Sequence, residues 1–508
     1  MSKLTKITIL LASFFAVDKV LAITRQLLTA RIFGLSAELD AFNAANNLPD
    51  LLFALISGGA LAIAFIPVLS EVLTNSGKKP TWLLFSRIAN LAFIVTAIIG
   101  IFIAIFAEPL VSWRLGIAPG FDLAQQKLVA ELMRLNLIAT LIFSISGLVM
   151  AGLQTNQHFL LPAIAPLLYN LGQIFGALIL APKEGLSIGP IHLPAYNLGV
   201  HGLVYGVIIG AALHLLIQIP ALVKYQFKWT PSVTILDPNV RKVLKLLGPR
   251  LLTMLFIQLI FIARDNLASG LSTGAVSALT YGWMIMQVPE TLLGTAIGTA
   301  LLPTLSEFAV KQQWSEFTRV ISRAVRILTA LTIPIFVILS LGLRPLISLA
   351  FGFDAAGTDL ILNVSRAFLF GLIAHSIIEV GVRAFYSIQN AKIPLLASAV
   401  TIITFLLFGN LFVNRFGAVG IAASVTIAFS VEMVLVMILL NRRFRFNLAI
   451  VPTLSRSILA SIAGTAVMIG LSVWLPINPV LSALLSMGSA AIIAVFFINK
   501  DIKEMRNL

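Results

Sequence analysis

Apolar runs of about twenty residues recur along this 508-residue chain, separated by short polar connections, and they restrict it to a membrane-spanning helical bundle. A hydrocarbon core of ~30 Å is crossed by a helix of about 20 residues, and lipid leaves no other way to satisfy so many backbone N–H and C=O groups. The runs fall at about 7–33, 40–71, 82–107, 125–152, 159–181, 195–222, 243–268, 274–305, 317–342, 359–388, 393–414, 417–440, 455–475 and 478–498. The expected fold is therefore all-α, with about 14 transmembrane helices. Only 11% of residues are charged and mean hydropathy is +1.01, against roughly 25% charged in a soluble domain.

The net charge of +15 does not point to nucleic acid, because the basic residues are scattered among short loops rather than gathered on one face. They report orientation instead. With the N-terminus inside, twenty-two Lys and Arg residues lie in or beside cytoplasmic loops and six beside outer ones, the asymmetry that sets topology. Both termini are expected in the cytoplasm. The opening MSKLTKITILLASFFAV has the order of a signal peptide, but it runs into Asp18 and Lys19 with no small-residue cleavage site. It is read as the first membrane helix. The absence of cysteine excludes disulfides and thiolate chemistry.

The chain repeats itself. LISGGALAIAFIPVLSE, ending at Glu71, is echoed by LLGTAIGTALLPTLSE, ending at Glu307, and Pro49 by Pro289; QTNQHFLLPAIAP has its counterpart in SIQNAKIPLLAS, and GVHGLVYGV in GAVGIAASV. Two parallel six-helix repeats result: a lobe at 1–222, a cytoplasmic connector at 223–242, a lobe at 243–441, and two extra C-terminal helices within 442–508. Bundles duplicated in this way bind substrate between the halves and suit alternating access. Pro49, Gly58, Gly59 and Pro289 interrupt equivalent helices. Close packing explains such residues, and so does a hinge.

Charge inside the apolar runs is the functional signal. Asp18, Lys19, Arg25, Asp40 and Asp50 fall in the first two helices and Arg264 and Asp265 in the seventh, where one charge at mid-bilayer costs at least ~2.5–3.5 kcal/mol. A wet cavity holding an ionic ligand offsets that cost. Guanidinium groups grip phosphate oxygens bidentately, so Arg25, Arg264 and Lys19 are the candidate substrate ligands. Arg25 and Arg264 sit 239 residues apart at matching repeat positions. Asp18, Asp40, Asp50 and Asp265 are candidate gate or ion-coupling residues, with internal pairing, such as Asp18 to Arg25, as the structural alternative. Glu379 and Arg383, spaced i, i+4, read as a neutralising pair, while Glu432 and Asp265 are candidate proton or sodium sites. His201, His214 and His375 stand alone, so no metal site is expected. No Walker loop, catalytic triad or zinc motif occurs, so neither an enzyme nor a cofactor is expected. The coupling ion, sodium or proton, stays open.

The stretches KVLAITRQLLTARIFG, LDAFNAANNLPDLL, AFIPVLSE, LASGLSTGAVSALTYG and VPETLLGTAIGTALLPTLSE resemble the MurJ/MviN family, the lipid II flippases of the multidrug/oligosaccharidyl-lipid/polysaccharide (MOP) exporter superfamily. The resemblance implies a fourteen-helix bacterial inner-membrane protein. Such a protein moves a polyprenyl-pyrophosphate-linked peptidoglycan precursor to the outer leaflet, driven by membrane potential or an ion gradient. A cationic cavity takes the anionic head group and the last two helices hold the lipid tail. By motif position Lys19, Arg25 and Asp40 match the family's functional cations and acid. Cell-wall synthesis proteins are the expected partners besides the bilayer and its lipid-linked glycan. The chain departs from the family at Phe53 and Ala54, where arginine is usual, at Gly58 and Gly59, where an acid precedes glycine, and at Met284, where arginine is usual. Other readings are an exporter of a different lipid-linked oligosaccharide, a drug antiporter, which would need an acidic cavity, and a transport-inactive scaffold for cell-wall assembly.

Overall fold

A computed structural model describes residues 3–57, 59–185, 187–188, 191–445, 448–474 and 477–504. Apart from a two-residue antiparallel ladder, Ser187–Ile188 with Ile191–His192, the described regular structure is helical. The chain packs as two compact units, Met1–Thr273 and Gly274–Leu508.

The first unit contains α1 (Lys3–Phe33), α2 (Ala37–Ala45), α3 (Asn47–Leu52), α4 (Gly59–Ser76), α5 (Lys78–Ile105), α6 (Ala107–Ser112), α7 (Leu123–Thr155), α8 (Leu160–Phe175), α9 (Val200–Leu216), α10 (Ile219–Lys224) and α11 (Pro238–Ser269). Helix starts follow local chemistry. Ser36 Oγ accepts from the Leu39 N–H, Asp122 from Gln125, and Asp237 from Asn239 and Val240, each satisfying amide groups that a first turn leaves open. A core of Phe65, Leu69, Phe85, Leu148, Leu153 and Val243 joins α4, α5, α7 and α11, with Trp82, Phe85 and Phe227 meeting edge to face at 5.3–5.6 Å. Ile98, Ile101, Phe102 and Ile105 are exposed on the opposite side of α5. So large an apolar face fits lipid, not water. Helices α8 and α9 touch through backbone: a Cβ on Gly172 would lie 2.4 Å from Gly210 Cα, so glycine there is what permits the approach.

The second unit contains α12 (Ala275–Glu290), α13 (Ala296–Val310), α14 (Trp314–Phe351), α15 (Ala355–Phe370), α16 (Leu372–Ser387), α17 (Lys392–Phe444), α18 (Val451–Trp474) and α19 (Pro479–Lys503). Its core gathers Leu305, Phe317, Ile321, Leu328, Val380 and Phe385. The two C-terminal helices lean on α14 through Ala330, Ile338, Ala460, Met468, Ala490 and Ala494. Arg456 clamps them together, its Nε and Nη2 donating to Asp501 at 2.8 and 2.6 Å.

The all-helical membrane class is as expected, and the count of 14 is not confirmed. Among the described residues ten helices are long and apolar enough to cross a membrane, eleven with α15 and α16, which are bent by 40°, taken as one span. One reason is that α17, from Lys392 to Phe444, is two helices meeting across a kink at Gly417, φ 57° and ψ −138°, one for each of the 393–414 and 417–440 runs. Another is fragmentation, since the run 37–76 is divided among α2, α3, a π-turn and α4. Helix α11, which the repeat assigns to the second lobe, packs in the first unit. There Lys242 Nζ lies 2.5 Å from Glu71 Oε2, and Val240, Val243 and Leu247 enter the core.

Candidate functional site

Proline removes an intrahelical donor and crowds the turn before it, so a helix carrying one absorbs the misfit nearby. Pro49 lies in α3, and a π-turn follows at Phe53–Ser57; Pro289 lies in α12, and a π-turn follows at Thr291–Thr295. Both prolines are buried. The repeat thus conserves an interruption of the helix as well as a residue pattern. A third π-turn, Gly176–Leu180, extends α8 after Pro166. Of the expected hinge glycines, Gly59 opens α4, while Gly58 lies outside the described residues.

In the first unit, α8 supplies neutral polar partners to the charges of α1. Arg25 Nη1 donates to Gln173 Oε1 at 2.7 Å, and Asn170 Nδ2 donates to Asp18 Oδ1 at 2.8 Å. Asn170 and Gln173 are one turn apart and buried, so one face of α8 receives two charges of opposite sign. Arg25 and Asp18 are half-buried and Lys19 is exposed. Arg25 acts electrostatically on Asp50 and on Tyr169. Asp50 has an exposed side chain on α3, whereas Asp40 on α2 is 1% exposed. Phe53 meets Phe143 edge to face at 5.0 Å, and Phe143 meets Tyr169 at 4.9 Å. A ring stack therefore stands where the family pattern would place an arginine.

Arg264 occupies a different environment from Arg25. Its Nε donates to Asp265 Oδ1 at 2.7 Å, Asn47 Nδ2 donates to Asp265 Oδ2 at 2.8 Å, and the guanidinium lies 5.2 Å from the Phe261 ring centroid. Arg264 and Asp265 are only 7% and 2% exposed. In this conformation the Arg264 guanidinium is enclosed with its own neighbour, whereas Arg25 is half-buried. Asn136, which donates to Asn46 Oδ1 at 2.8 Å, extends the same buried polar layer to α7. Asn46, Asn47, Asn136, Asn170 and Gln173 were not singled out from sequence. Their signal was available, since amides inside apolar runs need partners.

The second unit carries a separate charged group. Arg383 pairs with the Glu379 carboxylate, donates to the Glu379 carbonyl at 2.9 Å and reaches Thr299 Oγ1 at 3.2 Å. The expected i, i+4 neutralisation is present. Glu290, at the end of α12, lies within electrostatic reach of both, and Glu432 on α17, 6% exposed, accepts from Thr401 Oγ1 at 2.7 Å. Among the described residues no group of three or more His, Cys, Asp or Glu is placed to hold a metal ion.

Interrupted helices, an amide-lined charge layer and a second polar cluster inside an apolar bundle define a multi-pass helical membrane protein. A solved structure of "Lipid II flippase MurJ, inward closed conformation" superposes with TM-score 0.78 over 97% of this chain and 100% of that one at 20% identity. A multidrug resistance MATE family transporter of the MOP superfamily, in an inward-facing conformation, gives TM-score 0.67 over 86% and 98% at 14% identity. A family model described as lipid II flippase MurJ matches residues 29–496, and the chain belongs to the MurJ family. The relative from Burkholderia cenocepacia, "Lipid II flippase MurJ", is 28% identical over 92% of this chain and 89% of its own length. That from Vibrio cholerae, "Probable lipid II flippase MurJ", is 26% identical over 85% and 82%.

Proposed function

We propose that this protein carries lipid II, the polyprenyl-pyrophosphate-linked peptidoglycan precursor, from the inner to the outer leaflet of a bacterial cell membrane. Alternating access arises from rocking of two halves related by the repeat, with both termini in the cytoplasm. The observation that carries this reading is the family match over residues 29–496, to which relatives bearing that function's name add nearly full-length similarity. The chemistry agrees with it. Arg25 is half-buried, with its direction fixed by the hydrogen bond to Gln173, and a guanidinium so held suits a diphosphate. Lys19 adds a second cation on the same helix, and Asp18, Asp40 and Asp50 serve as gate or coupling groups. Arg264, locked to Asp265, joins the substrate site only if that pair opens during the cycle.

The test is a bacterium depleted of its own flippase. Wild-type protein restores growth, while Arg25→Ala at equal membrane abundance does not. Full rescue by the mutant would overturn the assignment of Arg25. Leaflet accessibility of labelled lipid II in reconstituted vesicles then reads transport directly, and intact partner binding without translocation would favour a scaffold. A second substrate class, another lipid-linked oligosaccharide, is favoured by one observation: Phe53 and Met284 replace family cations, and Phe53 is committed to a ring stack. Defined lipid-linked donors in the same vesicles separate the two.

A further inference from the structure

The π-turn of the second unit is bridged by a side-chain bond. Glu290 ends α12 and Thr295 ends the turn, and Thr295 Oγ1 donates to the two Glu290 carboxylate oxygens at 3.1 and 3.3 Å. Residues five apart face each other on a π-turn but not on an α-helix, so this bond exists only while the turn keeps its present form. Helix α16 presses against the same place: a Cβ on Gly294 would meet Ser376 Cα at 2.7 Å, Glu290 Oε1 at 2.9 Å and Ser376 Cβ at 3.1 Å. Glu290 Oε1 and Ser376 Cβ therefore each lie close to one point, 2.9 and 3.1 Å from it. Ser376 is 0% exposed, and its Oγ has no hydrogen-bond partner among the described residues.

Charge around this point is unbalanced. Glu379 and Arg383 act on Glu290 from α16, and Glu379 also acts on Glu432 of α17, so two carboxylates share the Arg383 guanidinium and a third lies within electrostatic reach of Glu379. His375, next to Ser376, stacks on Phe429 at 4.1 Å and has no partner at Nε2. On α13, Glu307 is taken up by Lys311 at 2.5 Å, and on α14 Arg326 by Glu504 at 2.7 Å. Like charges brought together in a low-dielectric setting repel, and a bound proton removes the repulsion. Glu290, Glu379 and Arg383 are each half-buried.

We propose that Glu290 is a proton-binding site whose occupancy switches the Thr291–Thr295 turn, and that this proton is the charge coupled to the cycle. The coupling part rests on the transporter reading above; the switch does not. With Glu290 ionised, Thr295 bridges the turn and Arg383 divides its attraction between Glu290 and Glu379. A proton from water neutralises Glu290, which then donates its O–H to the unpartnered Ser376 Oγ, frees the Thr295 hydroxyl and leaves Arg383 wholly to Glu379. Deprotonation reverses each step.

The chain has no cysteine, so one introduced at Leu292, a 70% exposed position inside the turn, carries an environment-sensitive fluorophore in lipid nanodiscs. A titration from about pH 5 to pH 9 without lipid substrate gives a single-proton transition in emission. Glu290→Gln abolishes it, Glu379→Gln moves its midpoint by about one pH unit or more, and replacing sodium by choline leaves it in place. No transition, a transition unchanged in Glu290→Gln, or a midpoint that follows sodium concentration would each overturn the proposal, the last by showing a sodium site. Should Glu290→Gln fail to fold, Thr295→Val removes only the bridging hydroxyl and is expected to flatten the signal change; a full-sized change in that variant overturns the switch. Because the readout needs no substrate, failure of the flipping assay and failure of the switch are told apart.

Discussion

Asp265→Ala is the substitution on which the reading of Arg264 turns. In the wild-type protein the pair is closed by Arg264 Nε to Asp265 Oδ1 at 2.7 Å and by Asn47 Nδ2 to Oδ2 at 2.8 Å, with both residues under 8% exposed. Removing the acid leaves a buried guanidinium without its counter-charge and Asn47 without its acceptor. Loss of one member of a buried ion pair costs about 3–5 kcal/mol, roughly two to more than three orders of magnitude in the unfolding constant. Asp265→Asn keeps one acceptor and should cost about 1.5–3 kcal/mol, the range for a hydrogen bond to a charged group. Arg264→Met with Asp265→Leu removes both charges, and exchange of a buried pair for apolar side chains is expected to come within about 1 kcal/mol of wild type or to stabilise. Reversible denaturant unfolding in micelles measures all three, and the double-mutant cycle isolates the pair. Asp265→Ala costing under about 1 kcal/mol, together with a folded Arg264→Ala that no longer translocates lipid, would refute the enclosed-pair reading and restore Arg264 as a substrate ligand.

Gly172→Val should push α8 from α9, because even a Cβ would stand 2.4 Å from Gly210 Cα; a loss of about 1–3 kcal/mol or more, read by the same unfolding assay, is expected. Gly417→Ala places a side chain at φ 57°, ψ −138° and should cost about 1–3 kcal/mol, with little effect if α17 straightens instead. Trp82→Ala empties an edge-to-face cluster at a 4% exposed position and should cost about 3–5 kcal/mol. His158 lies in the connection between α7 and α8, where desolvation first, and then the charge of Lys224, hold its pKa below the usual 6.5. The unfolded chain therefore binds the proton more readily, so stability is lost as pH falls below about 6.5. Unfolding midpoints at pH 7.5 and pH 5.5 should differ less in His158→Gln than in wild type.

Much of this was legible because lipid imposes simple rules. Apolar runs of helix length marked the bundle, and the echoed Pro49 and Pro289 marked where equivalent helices break. The i, i+4 spacing of Glu379 and Arg383 named a pair that the structure contains. Legibility failed where the answer depended on a partner helix. No spacing along α1 shows that Asn170 and Gln173 on α8 receive Asp18 and Arg25, and adjacency of Arg264 to Asp265 in sequence does not show that both are buried. Glu290 lies within the family-like stretch VPETLLGTAIGTALLPTLSE, but nothing along the chain marks it, since its meaning comes from Thr295 across a turn that becomes a π-turn only in three dimensions.

The two repeats also diverge in a way that bears on mechanism. Each has a proline followed by a π-turn, so the interruption of the helix recurs. The chemistry beside it does not. Beside Phe53–Ser57 stands an aromatic chain of Phe53, Phe143 and Tyr169, with Arg25 and Asp50 in electrostatic reach of Tyr169. Beside Thr291–Thr295 stand Glu290, Glu379 and Arg383. A hinge whose neighbours include an arginine suits an anionic head group, and one whose neighbours are mainly carboxylates suits a small cation. If two equivalent bends answer to ligands of opposite charge, binding one and releasing the other bias the same kind of motion, which is what a coupled cycle requires. Neutralising the second cluster is the decisive perturbation. Glu290→Gln with Glu379→Gln should leave the Arg25-dependent binding of labelled lipid II intact while removing its dependence on pH. Loss of binding itself in that variant would show that the second cluster belongs to the substrate site and not to the coupling.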